Sequence, residues 1–69
     1  RLEHVAETAY TKLAQRGPLR EYQLKQMAGK QQRPLVRDAL RHLEDNGRAE
    51  YDGTFWYAVY KGNKLRKQD

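Results

Sequence analysis

The sequence contains neither cysteine nor serine, and no apolar run approaches the roughly 20 residues that a membrane-spanning helix needs. Without cysteine there is no disulfide and no thiolate metal site, so stability has to come from packing alone. Without serine or cysteine the two commonest nucleophiles are missing. No phosphate-binding loop, dinucleotide fingerprint or HExxH pair occurs. Glu44 and Asp45 are adjacent, which on a helix turns them about 100° apart rather than towards one another. His4 and His42 are distant in sequence, with no third ligand at metal spacing. These absences argue against an enzyme, a metal site or a bound cofactor. They fit a protein of a reducing, cytoplasmic compartment with no membrane partner.

What the chain has is positive charge, unevenly spread. Sixty-nine residues make one small domain, and a chain of that size buries only about 60% of the surface its unfolded form exposes. It begins at Arg1, and the expectation is a piece of a longer polypeptide whose remainder is a potential partner. Fourteen Lys and Arg against nine Asp and Glu give +5. Residues 1–15 sum to zero, 16–41 to +5 (seven basic, two acidic), 42–60 to −3 and 61–69 to +3. A basic middle segment points to a polyanionic partner.

Leu2, Val5, Ala6, Ala9 and Leu13 follow the spacing of an amphipathic helix, which Gly17-Pro18 should end. Leu19-Arg20 reads as extended. Leu24, Met27 and Ala28 mark a short second helix from Glu21, with Gly29 as its natural C-terminal residue. Pro34 suits a first helical position, and Val36, Ala39, Leu40 and Leu43 define a third helix, over about 33–46, ending at Asn46-Gly47. Beyond it the period changes to that of strands, and Asp52-Gly53 is a strong hairpin signal. A two-residue turn there pairs Tyr51 with Thr54 and Ala49 with Trp56, and Ala49, Trp56, Ala58 and Tyr60 are expected to face inward. Residues 61–69 read as a basic tail or linker, leaving 1–60 as the domain.

The stretch "VRDALRHLEDNGRAEY" (Val36–Tyr51) running into "DGTFWYAVY" resembles the third helix and wing of bacterial winged-helix repressors. The order of elements over residues 2–60 is likewise similar to the winged helix-turn-helix superfamily. The resemblance implies an α+β fold of three helices with a short strand and a C-terminal β-hairpin wing. It implies that the third helix enters the major groove of double-stranded DNA and that the wing touches the backbone or minor groove. Mapped here, those elements are Lys30 to Arg41 and the Asp52-Gly53 tip, the latter acidic where a phosphate contact would call for a base.

Arg33, Arg37 and Arg41 are each four apart and fall on a stripe beside the apolar arc of the third helix. Like charges at that spacing repel, and on an arbitrary helix they would be ordinary solvated side chains. In a basic helix-turn-helix segment, a polyanion gives them a purpose. Arg33 and Arg37, near the helix N-terminus, are the candidates for reading bases. Gln31 and Gln32 could pair with adenine, while Arg20, Lys25, Lys30 and Arg41 are candidates for phosphate. No side chain that could cap the third helix precedes Pro34, so its free N–H groups are a further expected phosphate site. The expected function is duplex DNA binding in a transcriptional regulator or in a plasmid or phage replication or transfer protein. The other reading is a winged-helix module that docks protein within a larger assembly, its aromatic hairpin or its helix faces serving as the surface. Oligomeric state is left open.

Overall fold

A computed structural model describes residues 2–60 and 63–64. Within these the chain forms three α-helices, α1 (Leu2–Arg16), α2 (Glu21–Met27) and α3 (Val36–Asp45), and an antiparallel hairpin of β1 (Ala49–Tyr51) and β2 (Trp56–Tyr60). A two-residue strand, β3 (Asn63–Lys64), pairs with Val59 and Tyr60, so the sheet order is β1-β2-β3. Apart from this strand, the tail expected from residue 61 onward lies outside the described residues. Leu19, expected to be extended, bridges Trp56 through N–H···O bonds of 3.1 and 2.7 Å.

One hydrophobic cluster unites these elements. Val5, Ala6, Ala9 and Leu13 of α1 meet Val36, Ala39, Leu40 and Leu43 of α3, and Leu24 closes one side. Ala49, Trp56 and Ala58 from the hairpin's inner face close the other. Every small residue in this set lets a backbone come close, which is how so short a chain fills its core. The apolar periodicities of α1 and α3 therefore coincide with the buried faces, although Leu2, Met27 and Ala28 lie at the cluster's edge.

The helix ends differ in their chemistry. At the C-terminus of α3 the Gly47 N–H reaches the Glu44 carbonyl at 3.0 Å and the Arg48 N–H reaches that of Leu43 at 2.8 Å. Gly47 has φ of 72°, so this is a Schellman stop in which glycine takes the left-handed position. Helix α2 ends without such a glycine. Ala28 turns to extended backbone (φ −81°, ψ 153°), and Gly29 instead offers its carbonyl to the N–H groups of Gln32 and Arg33, both at 2.9 Å. The first turn of the expected third helix, Arg33–Leu35, is 3-10 rather than α, and α geometry begins at Val36.

The hairpin departs from the expected register. Tyr51 pairs with Trp56, Glu50 with Tyr57 and Ala49 with Ala58, so the tip is Gly53-Thr54 and not Asp52-Gly53. The cause is the Asp52 side chain. Its Oδ1 accepts the N–H groups of Thr54 and Phe55, each at 2.8 Å, while its own N–H donates to the Phe55 carbonyl at 3.1 Å. A carboxylate that caps the loop from position 52 moves the turn centre one residue on. The pairing is displaced by two residues along β2, an even number, so Ala49, Trp56 and Ala58 still point inward. Tyr60, expected inside, is about half exposed, because the inner face runs past the helices there. Tyr57, on the opposite face, is buried and donates its hydroxyl to Asp52.

A polar clip ties α1 to the sheet. Arg48 pairs with Glu7 and lies 4.2 Å from the centre of the Tyr10 ring, and the Tyr10 hydroxyl donates to the Val59 carbonyl at 3.3 Å. The hydrogen bonds from Arg48 hold the Glu7 carboxyl below the usual carboxylate range. A carboxylate with a lowered folded-state pKa stabilises at neutral pH, and the contribution is lost as pH falls through that pKa. The melting temperature of Glu7→Gln should therefore lie below that of the parent at pH 7, and the two should converge as pH falls from the usual carboxylate range through the lowered Glu7 pKa in a thermal unfolding series. At the loop, Asp52→Ala should cost about 1–3 kcal/mol in denaturant unfolding, since two backbone donors and the Tyr57 hydroxyl lose an acceptor. Asp52→Asn, which keeps one oxygen, should retain most of the stability.

Candidate nucleic-acid interface

Burial of Val36, Ala39, Leu40 and Leu43 fixes the rotation of α3 and leaves Arg37 and Arg41 on its outer side, with Arg33 exposed in the 3-10 turn before it. The three arginines are outward, as their spacing implied, yet they are not equivalent. Arg33 donates from Nε to the Lys25 backbone carbonyl at 3.0 Å. That carbonyl is in the last turn of α2, where it also accepts the Ala28 N–H at 3.2 Å and where the negative end of the helix dipole favours a cation. Arg33 thus fastens the start of the third-helix segment to the end of α2. Arg37 has its side chain 70% exposed, and its Nε stands 3.4 Å from Glu21 Oε2. The same oxygen lies 3.2 Å from Lys25 Nζ. For Arg41 no ion-pair partner occurs among the described residues.

Glu21 was not among the expected site residues, and it changes the electrostatics there. One carboxylate shared by Lys25 and Arg37 offsets part of the like-charge repulsion and holds both cations at the α2–α3 junction. Its sequence signal was the i, i+4 spacing to Lys25. The link to Arg37 spans two helices and had no local signal.

The remaining expected residues divide into separate groups. Arg20 is exposed at the start of α2 with its guanidinium 5.1 Å from the centre of the Phe55 ring, a cation–π contact that ties it to the hairpin loop. Lys30 is exposed in the turn between α2 and the third-helix segment. Gln31 and Gln32 line a groove with His4 and Val5 of α1 and with Pro34 and Leu35. Arg37 and Arg41 instead line a cleft with Glu21, Glu44, Tyr51 and Trp56. The two concavities share no residue.

The expected phosphate site at the start of the third helix is also corrected. The N–H groups of Gln32 and Arg33 go to Gly29, that of Leu35 to Gln32 at 2.8 Å and that of Val36 to Arg33, while Pro34 has none. The 3-10 turn satisfies internally the donors that a bare α-helical N-terminus would have left open.

Aromatic side chains complete the surface. Tyr51 is about half exposed and packs on Trp56, ring centres 5.0 Å apart and planes inclined by 30°. Trp56 is itself buried, and its indole N–H has no acceptor among the described residues. No helix among the described residues is long and apolar enough to cross a membrane. Compared with protein-family models, with characterised proteins and with solved structures, the chain finds no match.

Proposed function

We propose that this domain binds double-stranded DNA as a winged helix-turn-helix module, with α3 directed into the major groove. The observation that carries the reading is the outward placement of Arg37 and Arg41 on α3, backed by a helix face that is wholly buried. A three-helix domain with a short bridge at Leu19 and an antiparallel hairpin is compatible with that architecture. The surplus of five positive charges between residues 16 and 41 supplies the long-range attraction.

The roles are reassigned among the arginines. Arg37 is the base reader, because it is open and reaches outward from the helix's first turn, with a planar fork suited to guanine O6 and N7. Arg33, spent in part on α2, is a positioning residue whose remaining guanidinium nitrogens can meet a phosphate. Arg41, Lys30, Lys25 and Arg20 are phosphate contacts. Glu21 holds Arg37 in reserve, and the DNA displaces that weak, exposed pair on binding.

Duplex titrations at several salt concentrations test this. About five phosphate contacts give a log–log salt slope of about −4.5. A flat dependence would instead favour the protein-docking module. Arg37→Ala should weaken binding to a preferred sequence by about 1–3 kcal/mol and reduce discrimination at one base pair. Glu21→Gln should tighten duplex binding at low salt, since it removes an acid that competes with phosphate for Lys25 and with the base for Arg37. Unchanged or weaker binding by that variant would remove Glu21 from the mechanism.

A further inference from the structure

The cleft between α3 and the hairpin has a charge balance unlike the rest of the basic surface. Arg37 and Arg41 line it together with Glu21 and Glu44, so its cations and anions cancel, and its remaining wall is aromatic, Tyr51 beside Trp56. Its volume of about 370 Å³ lies within the range of small-ligand clefts. A lone phosphate would meet two carboxylates there. A flat, neutral, polar group would meet stacking surface, donors and acceptors.

Tyr51 is, of the exposed tyrosines Tyr22, Tyr51 and Tyr60, the one that lines this cleft. It follows Ala49 on the inner face of β1, but where Ala49 is buried by the helices, Tyr51 overhangs them and is about half exposed. The ring is nevertheless held. Its hydroxyl donates to the Gly53 carbonyl at 3.0 Å, and the ring packs on Trp56, which the core fixes from beneath. An aromatic surface held at both ends loses little side-chain entropy on meeting a ligand. The hairpin offers DNA no cation, since residues 49–60 contain Glu50 and Asp52 and no Lys or Arg.

We infer that the Tyr51 ring is a stacking platform for an unpaired nucleobase next to the duplex held by α3, with Glu44 accepting from the base's amino group and Arg41 holding the adjoining phosphate. This rests on the proposed placement of α3 on duplex DNA. The base must be unpaired, because one inside a duplex has both faces covered by its neighbours. The domain would accordingly favour a duplex bordered by single strand, such as a tailed end or an opened junction, over a continuous helix.

Fluorescence anisotropy with three DNAs at one salt concentration tests the inference: a short blunt duplex, the same duplex with a short unpaired tail, and the same tail made abasic. The base-bearing tail should tighten binding about five-fold or more over the abasic one, the scale of one base–aromatic stack. Tyr51→Leu should lose that gain and keep the blunt-duplex affinity, while Tyr51→Phe should keep most of it. Equal affinity for the two tailed DNAs, or a gain that survives Tyr51→Leu, overturns the inference and leaves duplex binding standing. Failure to bind the blunt duplex, with a base-dependent gain on the tail, would sink the duplex reading and retain the platform. The abasic comparison uses the unaltered protein, so equal affinities overturn the inference even where Tyr51→Leu does not fold; Tyr51→Thr, ringless and suited to a strand, then takes its place in deciding whether the gain belongs to position 51.

Discussion

The packing of α3 against α1 is the contact from which the rest of the molecule takes its orientation. Val36, Ala39, Leu40 and Leu43 are buried almost completely against Val5, Ala6, Ala9 and Leu13. A helix with one face so fully buried has no rotational freedom left, since a turn about its axis would bring charge into the core at a cost well beyond what a small domain can tolerate. The arginines are outward for that reason, and not because anything outside attracts them. The same face seats the hairpin, whose Ala49, Trp56 and Ala58 complete the cluster, and the bridge between Leu19 and Trp56 locks the segment before α2 to β2.

Upon that frame the charges are arranged with more economy than the composition implies. A domain at +5 has few acids to spare, yet Glu21 and Glu7 are each placed against basic side chains from distant parts of the chain. Glu7 and Arg48 close α1 onto the sheet, while Glu21 gathers Lys25 and Arg37 at the α2–α3 junction. Exposed pairs of this kind add little to stability. Their effect is on geometry: they set where the cationic groups sit on the folded surface. Arg33 serves the same end through a backbone carbonyl, turning a charge that looked available into part of the scaffold.

The hairpin has a different character. Its acids are not phosphate repellents placed at random, since Asp52 organises the loop through backbone N–H groups and anchors Tyr57. This use of a carboxylate leaves the hairpin without a cationic tip and with aromatic surface exposed at Tyr51 and Tyr60. The division of labour follows: charge on α2 and α3, flat apolar area on β1.

Most of the architecture was legible because it depends on local periodicity. The apolar spacing of α1 and α3, the stop at Gly47 and the change to strand alternation after it are properties of short segments, and they held wherever one face alone was buried. The register of the hairpin was not legible, because Asp52-Gly53 satisfies a turn rule by composition while the Asp52 side chain, bonding to Thr54 and Phe55, selects another. Nor was the inner edge of β2: aromatic residues on both faces blurred the alternation, so Tyr60 and Tyr57 exchanged their expected environments. For the candidate site, sequence by itself determined which side chains α3 turns away from the core, since helical geometry and burial decide that together. Tertiary structure alone decided which of them have partners, because Arg33 and Arg37 meet groups on α2 and the glutamines line a groove with α1, contacts made by residues that only folding brings together.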